Sequence, residues 1–387
     1  MNQKIADLLE GAVASGVVPG VVAMAADADG VIHESAHGVT GPERDVAMQT
    51  DSVFRIASMT KAITSTAAML LVERGLLALD EPMKAVAPEL GEARVLEGFA
   101  PDGAPRTRAP ARDITLRHLL THTSGYSYDL FNAQVGRFME HAGLPSITTC
   151  SFDSLRAPLV FDPGSAWEYG IGIDWAGRLV EIVSGQKLGA FLAENLFAPL
   201  GMRDTAFELR EDMKDRLVDA AARDPEGRLS RLEFEFPADG DFQMGGGGLY
   251  STAADYLRFT RMLLGGGQLD GQRVLKPETV ALMAENSIGE IEVPKFESDN
   301  PAMALPVEMF PGQVKRWGLS FLLNTEDVPG GRGAYSLTWA GVHNTFFWID
   351  PKRSLTAVLM MQLLPANDPQ VLSTLVDYEL ALYAGRG

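Results

Sequence analysis

Strand-like segments lie near both ends of this chain, and the segment between them is mainly helical. Near the N-terminus, VVPGVVAMAADADGVIHESAHG predicts two strands around an Ala-Asp-Gly turn. Near the C-terminus, four segments have strand patterns: WGLSFLLNTE, GAYSLTWAG, NTFFWIDP and SLTAVLMMQLL. Strands at both ends predict one antiparallel sheet built from distant segments, with helices packed on it. The predicted fold class is therefore α+β.

The middle of the chain has a different pattern. Helical stretches alternate there with Pro- and Gly-rich loops; the helical stretches are ITLRHLLTHTSG, YGIGIDWAGRLVEIVSG and LGAFLAENLFAPLG. With 387 residues, the chain is long enough for one large domain or two medium ones. We expect a sheet domain made of residues 1–75 and 233–387, a mainly helical domain at 76–232, and a functional site at their interface.

The composition restricts the classes of binding partner and the cellular compartment that we expect for this protein. A formal net charge of −18 without an acidic block disfavours nucleic acid and anionic membrane surfaces. The single Cys150 excludes an internal disulfide, and nothing around it favours a thiol nucleophile over a buried, idle thiol. The first residues lack a signal-peptide pattern, and no run of about 18 apolar residues occurs. We therefore expect a cytoplasmic protein with no membrane partner, of undetermined oligomeric state.

The motif SMTK, from Ser58 to Lys61, is the first candidate for chemistry. It follows a short strand-like stretch and opens a helical pattern that continues until Gly75. Ser58 should lie at or just inside the helix N-terminus, with Lys61 one turn on and on the same face. A hydroxyl beside an amine that can take its proton suits acyl transfer. Because such a short motif also occurs in solvated helices, context must decide its meaning.

Three further stretches bear on this hypothesis. Tyr169 follows a Pro-Gly loop, where a phenol beside a cation can act as a base or a relay, or can simply be a half-buried loop aromatic. The strand-like Trp339-Ala340-Gly341 could approach a reacting centre closely, or could be a bend in a core strand. Gly245–Thr252 lacks the Lys-Ser/Thr ending of a P-loop, which favours a pocket floor or wall.

Other patterns point to structural roles. His118 and His122 are spaced like a zinc pair, but the glutamate of a metalloprotease and a third ligand are missing. We interpret both as structural or capping residues and expect no metal and no cofactor. No Gly-x-Ser-x-Gly elbow of an α/β-hydrolase occurs. Asp174, five residues after Tyr169, is interpreted as a helix-face or capping carboxylate rather than a catalytic one.

Together, these motifs resemble the serine β-lactamase-like superfamily over nearly the whole chain. The resemblance rests on Ser58-x-x-Lys61, LLTHTSGY at Leu119–Tyr126, Tyr169 and a near-terminal Trp-Ala-Gly. Within the superfamily, the sequence is most similar to the branch of class C β-lactamases and family VIII carboxylesterases. This branch also contains D-Ala-D-Ala carboxypeptidases and a polyketide acyltransferase. The resemblance implies the β-lactamase/transpeptidase-like fold, an antiparallel sheet flanked by helices with a mainly helical inserted subdomain.

The resemblance also implies roles for individual residues. Ser58 corresponds to the acylated nucleophile, Lys61 to the lysine that assists proton removal, and Tyr169 to the base or relay. The backbone N–H groups of Ser58 and Val342 correspond to the oxyanion hole. Residues expected to contact substrate are Tyr126, Trp339, Ala340, Gly341 and His343.

Two departures from the β-lactamase pattern suggest the substrate. Tyr-x-Asn is replaced by Tyr169-Gly170-Ile171, and Lys-Thr-Gly by Trp339-Ala340-Gly341. Losing the cation that attracts a substrate carboxylate costs about 1.5–3 kcal/mol of recognition. Carboxylated β-lactams and peptide C-termini should therefore bind poorly. A neutral ester needs no such cation, and Trp-x-Gly is similar to the motif of family VIII esterases.

We therefore expect a serine carboxylesterase that hydrolyses small or medium acyl esters through an acyl-enzyme on Ser58. Either Lys61 is a neutral base, at a cost of roughly 4 kcal/mol near pH 7, or it stays charged and favours ionisation of Tyr169. The alternatives are a β-lactamase, a D-amino-acid peptidase or amidase, an acyltransferase of the same fold, or a non-catalytic scaffold or ligand-binding relative. Pocket size should depend on loops around Tyr126–Phe138 and Asn286–Gln313.

Overall fold

The computed structural model describes residues 2–237 and 239–384. Its α-helices are α1 Asn2–Ala14, α2 Thr60–Glu73, α3 Leu116–Leu120, α4 Ala133–Ala142, α5 Gly172–Ser184, α6 Leu188–Leu192, α7 Ala198–Leu200, α8 Glu211–Lys214, α9 Ala253–Leu264, α10 Pro277–Ala284 and α11 Pro369–Ala384. Its strands are β1 Gly20–Asp27, β2 Val31–Gly38, β3 Phe54–Arg55, β4 Val95–Phe99, β5 Pro105–Arg108, β6 Ala220–Arg223, β7 Leu229–Leu232, β8 Tyr250–Ser251, β9 Gln268–Leu269, β10 Gln272–Arg273, β11 Lys315–Trp317, β12 Leu322–Asn324, β13 Leu337–Gly341, β14 Thr345–Asp350, β15 Leu355–Met360 and β16 Leu363–Leu364.

The central sheet joins the two ends of the chain. Its seven strands lie in the order β11-β12-β13-β14-β15-β1-β2, and every neighbouring pair is antiparallel. Val22 of β1 lies opposite Met360 of β15, so strands more than 300 residues apart are neighbours. The predicted antiparallel sheet built from distant segments and the N-terminal hairpin are confirmed.

One predicted strand is wrong in detail. WGLSFLLNTE contains the end of β11 and all of β12, joined by a tight turn. Gly318 N–H donates to the carbonyl of Phe321, and Ser320 between them has a left-handed backbone with a φ of 86°. A residue in this conformation cannot continue a strand, so the stretch folds as a hairpin.

Helices cover both faces of the sheet. In β1, Val21 and Ala23 pack in a cluster with Leu9 of α1 and Tyr378 of α11. The alternate residues, Val22 among them, belong to a larger cluster that includes α2, α5 and α9. Both faces of β1 are therefore buried, which explains the continuous apolar run VVAMAA. On this face α9 packs on the sheet, and the turn that leads into α2 contacts β13 and β14.

The middle segment supplies most of the short helices. It contains α3 to α8, the hairpin β4–β5 and the pair β6–β7, of which β6 pairs in parallel with β16. Helix α5 packs against α2. The division into a sheet domain and a helical domain stays a prediction. Among the described residues, none of the helices combines the length and apolar character needed to cross a bilayer.

Candidate active site

Ser58 lies in a single 3₁₀ turn, Ala57–Met59, that leads directly into α2. This places it at the N-terminal end of the helix, as the sequence predicts. Ala57 before it has a φ of 44°, in the left-handed region that residues with a Cβ rarely adopt. Backbone strain of this kind is often found at functional sites. The turn leaves Ser58 half-buried at the wall of a cleft.

Lys61 is buried one turn further on, with 1% of its surface exposed. Its Nζ donates to Ser58 Oγ at 3.1 Å and to the carbonyl oxygen of Gly246 at 2.6 Å. It also lies 4.7 Å from the ring centre of Tyr169 and 5.1 Å from that of Tyr128. Acceptors and aromatic faces on several sides compensate for the removal of the amine from water.

Tyr169 reaches the same hydroxyl from the loop before α5. Its O–H donates to Ser58 Oγ at 2.5 Å, and its oxygen accepts from the indole N–H of Trp339 at 3.4 Å. The Tyr169 ring packs against Trp339 and His122, with ring centres 5.1 and 4.9 Å apart. Ser58 Oγ is therefore within hydrogen-bond reach of both an amine and a phenol. This arrangement can take a proton from an attacking serine.

The end of β13 lies against the Ser58 turn because residue 341 is a glycine. A Cβ atom on Gly341 would overlap Thr345 Oγ1 and lie 2.5 Å from the carbonyl oxygen of Ile56. Trp339, Ala340, Gly341 and Val342 all line the cleft beside Ser58. The assignment of the Ser58 and Val342 N–H groups to an oxyanion hole stays a prediction.

The cleft is narrow and almost entirely apolar. Its volume is about 70 Å³, and it is lined by Ser58, Phe131, Tyr169, Phe296, Ala304, Val307, Met309, Trp339, Ala340, Gly341, Val342, Ala366 and Asn367. None of these described lining residues is a lysine, arginine, aspartate or glutamate. Phe131 comes from the first of the two predicted loops, and Phe296 to Met309 from the second, so the expectation that both loops shape the pocket is confirmed.

Tyr126 does not line this cleft, contrary to the expectation. Its ring lies against Trp175, with ring centres 6.4 Å apart, and burial raises the pKa of its phenol. The backbone of Tyr126 is what approaches the Tyr169 loop: a Cβ atom on Gly170 would overlap its carbonyl oxygen. The LLTHTSGY motif therefore supports the Tyr169 loop through its main chain, and the tyrosine side chain turns away.

His343 does not line the cleft either. It lies in the tight turn between β13 and β14, where Asn344 N–H donates to the Gly341 carbonyl at 3.0 Å. Val342 faces the cleft, whereas the His343 ring is buried near Phe234, with ring centres 5.9 Å apart. Burial, and secondarily Arg55, lowers the pKa of His343 to about 3. Its imidazole is therefore neutral and away from substrate.

Sequence reasoning missed Asp174. The interpretation as a helix-face or capping carboxylate does not describe it, because Asp174 is fully buried in the first turn of α5. Its Oδ1 accepts from Gly246 N–H at 2.7 Å and its Oδ2 from the Tyr128 hydroxyl at 3.2 Å. Burial raises the pKa of Asp174, and Lys61 opposes this rise. Two sequence features could have indicated this position. Asp174 lies on the helical stretch that follows Tyr169, and the glycine run that begins at Gly245 is predicted to form a pocket wall.

The histidine pair and the cysteine have structural surroundings. His118 caps α3 in a reciprocal pair of hydrogen bonds with Thr115, as its capping interpretation predicts. His122 is buried against Tyr169, and burial, followed by Lys61, lowers its pKa well below the usual value. Burial raises the pKa of Cys150 to about 11, which disfavours the thiolate. Over residues 2–237 and 239–384, no three His, Cys, Asp or Glu side chains form a cluster that could hold a metal ion.

Comparisons with known proteins identify relatives over nearly the whole chain. A family model described as Beta-lactamase matches residues 5–380. Monacolin J acid methylbutanoyltransferase of Aspergillus terreus is 37% identical over 393 residues, covering 96% of this chain and 93% of that protein. Lovastatin esterase of Penicillium rubens is 36% identical over 385 residues, covering 95% and 94%. The solved structure of simvastatin synthase from Aspergillus terreus has a TM-score of 0.85 and 34% identity, covering 98% of this chain and 97% of that one. The chain belongs to the β-lactamase family and has the β-lactamase/transpeptidase-like fold.

Proposed function

We propose that this protein is a serine carboxylesterase that hydrolyses small or medium acyl esters through an acyl-enzyme on Ser58. The observation that carries the proposal is the position of Ser58 Oγ, 3.1 Å from Lys61 Nζ and 2.5 Å from the Tyr169 hydroxyl. A serine hydroxyl is a weak nucleophile until an adjacent group removes its proton. Here an amine and a phenol are both within reach.

Two acyl transfers complete the reaction. Ser58 Oγ attacks the ester carbonyl while its proton passes to the Lys61 and Tyr169 pair, and the N–H groups of Ser58 and Val342 hold the oxyanion. The same proton then passes to the leaving alcohol as the ester bond breaks. Water attacks the acyl-enzyme next, giving its proton to the pair. That proton returns to Ser58 Oγ as the carboxylic acid leaves.

The cleft supports a neutral substrate. Its lining is apolar, and Trp339 stands where the β-lactamase pattern has a cation for a substrate carboxylate. An apolar wall stabilises an acyl chain by about 0.8 kcal/mol per buried methylene group. Two similar proteins are named for methylbutanoyl transfer and for a lovastatin esterase. These names support short, branched acyl groups as the first substrates to test.

Acyl transfer to another alcohol is the second candidate function. A methylbutanoyltransferase and an esterase are nearly equally similar to this chain, at 37% and 36% identity. Both activities share the acyl-enzyme and differ only in whether an alcohol or water attacks it. Product analysis with p-nitrophenyl butyrate and a competing alcohol separates them. Mainly free butyric acid supports the esterase, and mainly the new butyrate ester supports the transferase.

The first test of the proposal replaces the nucleophile, Ser58. We expect Ser58→Ala to abolish turnover of p-nitrophenyl butyrate and labelling by a fluorophosphonate probe, because Ser58 is the serine that lines the cleft within reach of Lys61 and Tyr169. The matched control is Ser65→Ala, which removes a buried hydroxyl from the same helix and should leave both intact. Substantial turnover by Ser58→Ala would contradict the proposal. Efficient hydrolysis of a cephalosporin by the wild type would contradict the preference for neutral esters.

A further inference from the structure

The turn between β13 and β14 carries Val342, the predicted oxyanion donor, and ends in a buried asparagine. Asn344 is 1% exposed, and its N–H donates to the Gly341 carbonyl at 3.0 Å. Its φ of 59° lies in the left-handed region. A tight turn followed by one left-handed residue is a common form of three-residue hairpin loop. Glycine satisfies that backbone as well as asparagine does, so the turn alone does not require the amide side chain.

The polar atoms of the Asn344 amide bond to the segment that follows β15. Its Nδ2 donates to the carbonyls of Leu363 and Pro365, both at 2.8 Å. Its Oδ1 accepts from Asn367 N–H at 3.1 Å. Within this segment, Ala366 and Asn367 line the cleft. One side chain therefore joins the β13–β14 turn to a separate part of the cleft wall.

The same segment holds the loop that covers the cleft. Leu305 N–H donates to the Ala366 carbonyl at 3.0 Å, and Ala366 N–H donates to the Met303 carbonyl at 2.9 Å. Asn367 Nδ2 donates to the Leu305 carbonyl at 2.9 Å. Ala304 pairs with Ala366, and both line the cleft. The β13–β14 turn, the segment after β15 and the covering loop are thus connected by hydrogen bonds.

The turn is also attached on the side of the nucleophile. Thr345, directly after Asn344, is fully buried, and its hydroxyl donates to the Ile56 carbonyl at 3.3 Å, two residues before Ser58. Without the Asn344 amide, this side of the turn would stay attached and the other would be released. The Val342 N–H would then no longer be held at a fixed distance from Ser58. Because hydrogen bonds weaken steeply with poor distance and angle, a small displacement reduces the stabilisation of an oxyanion.

We propose that Asn344 is a positioning residue that holds the Val342 N–H and the Ala366 wall of the cleft in one fixed arrangement. The inference rests on the proposed function, in which the N–H groups of Ser58 and Val342 stabilise the oxyanion. Asn344 is not among the residues that line the cleft, so it acts through these neighbours. A single substitution should therefore change both the rate of ester cleavage and the choice of acyl chain.

The test is the kinetics of Asn344→Gly with two esters. Glycine adopts the left-handed backbone readily, so the turn keeps its form while the amide is removed. We expect kcat for p-nitrophenyl butyrate to fall at least about tenfold, with a smaller change in KM, because the oxyanion donor is displaced. The chain-length ratio, kcat/KM for p-nitrophenyl octanoate divided by that for the butyrate, should rise about fourfold. That rise corresponds to roughly one further buried methylene group.

The matched control is Asn324→Ala. Asn324 is 0% exposed at the end of β12, and its Nδ2 donates to the carbonyls of Glu326 and Gly333 at 2.8 and 2.9 Å. Its Oδ1 accepts from Ser336 N–H at 3.2 Å. It thus makes the same three kinds of bond, just before β13 and at the end of that strand away from Ser58. Alanine is used because the Asn324 backbone is not left-handed. This variant should lose stability in urea unfolding by about as much as Asn344→Gly, with kcat and the chain-length ratio unchanged.

Three results would overturn the inference while the acyl-enzyme stands. Wild-type kinetics in Asn344→Gly, with only a loss of stability, would mean that the amide serves the fold alone. A change in kcat without a change in the ratio, or the reverse, would mean that the two parts of the wall are independent. Equal kinetic effects in Asn324→Ala would mean that any loosening of the sheet has this result.

A second variant covers the case in which Asn344→Gly does not fold. Asn344→Ser keeps one hydrogen-bonding group in a small side chain, and we expect the same two changes with smaller amplitude. Wild-type kinetics in this variant would count against the inference in the same way. Failure of the wild type to be labelled at Ser58 by a fluorophosphonate would instead remove the proposed function itself.

Discussion

Trp339 both lines the cleft and contacts the Tyr169 hydroxyl. Its indole N–H lies 3.4 Å from the Tyr169 oxygen, and its ring packs against Trp317 with ring centres 4.8 Å apart. An uncharged indole lacks the positive charge that attracts a substrate carboxylate, but its N–H can stabilise negative charge on the phenol oxygen. Hydrogen bonds to charged groups contribute about 1.5–3 kcal/mol. Under the proposed mechanism, the same side chain contributes to both substrate choice and proton transfer.

We expect Trp339→Phe to lower kcat for p-nitrophenyl butyrate roughly 10- to 100-fold with little change in KM, because it keeps an aromatic ring but removes the donor. The matched control is Trp317→Phe, which removes an indole N–H bonded to the Leu120 carbonyl. That variant should lose stability with a smaller effect on kcat. Steady-state kinetics measure both, and a change confined to KM would show that Trp339 only contacts substrate.

His343 should make the fold sensitive to acid. Its pKa falls from the ordinary 6.5 to about 3 in the folded protein, mainly through burial and secondarily through Arg55. Below pH 6.5, His343 is protonated in the unfolded chain but stays neutral in the folded chain. The free energy of unfolding therefore falls as the pH decreases toward 3. The expected loss is about 1 kcal/mol per pH unit in this window. Urea unfolding of His343→Leu at pH 7 and pH 5 should show a smaller difference than the wild type, and an equal difference would contradict this.

Individual residues differ in how far the sequence predicts their positions. Ser58, Lys61 and Tyr169 lie in motifs whose spacing and flanking residues restrict their positions in the fold. The structure brings the three side chains together. Tyr126 and His343 adjoin such motifs, but a neighbour in sequence can face the opposite way. The burial of Asp174 depends on how α5 is rotated against α2. That rotation is a tertiary property, which the sequence pattern of one helix does not contain.

Among the secondary-structure elements, the approach of β13 to the Ser58 turn is the contact on which the site depends. Gly341 permits it, because any side chain there would meet the Ile56 carbonyl and Thr345. The sequence predicts β13 and α2 as separate elements, and the glycine indicates a close approach. Which element β13 approaches is determined only by its pairing with β14 and β12 in the sheet. The Ser320 turn was missed because the residue with the left-handed backbone is a serine, and the glycine of the turn, Gly318, lies two positions before it.

We expect Gly341→Ala to push β13 away from the turn, lowering stability by about 1–3 kcal/mol and kcat/KM at least 100-fold. The stability loss reflects overlap with fixed backbone, and the kinetic loss reflects a displaced nucleophile. Gly11→Ala in α1 is the control, since open space surrounds its Cβ position. It should raise stability by about 0.5–1 kcal/mol and leave activity unchanged. Urea unfolding and ester hydrolysis measure both effects, and wild-type activity in Gly341→Ala would contradict this account.

On the scale of the whole molecule, the cleft exists because three distant parts of the chain meet. The turn before α2 and the adjoining strand β13 provide Ser58 and one wall, the middle segment provides Tyr169 and Phe131, and the loop before β11 covers them. Two hydrogen bonds tie the covering loops together, from Asp299 N–H to the Phe131 carbonyl at 3.0 Å and from Ala133 N–H to Asp299 Oδ2 at 2.8 Å. Acyl-chain length should therefore be selected by the loops and not by the reacting groups.

Replacing Phe296 tests whether the loops select the length of the acyl chain. Its ring packs edge-on against Phe131, with ring centres 5.6 Å apart, and both line a cleft of about 70 Å³. We expect Phe296→Ala to make room for longer chains. The ratio of kcat/KM for p-nitrophenyl octanoate to that for the butyrate should rise about tenfold, which corresponds to burial of roughly two further methylene groups.

The control for this change lies in the same loop. Phe310 packs over Arg332, with the guanidinium carbon 5.5 Å from the ring centre, and it is not among the residues that line the cleft. Phe310→Ala should therefore lower stability without altering the chain-length ratio. If both variants shift the ratio equally, general loosening of the loop, and not the space vacated by the Phe296 ring, sets the substrate size. If neither variant shifts it, chain length is selected elsewhere in the molecule, and the closure of the two loops over Ser58 has no part in substrate choice.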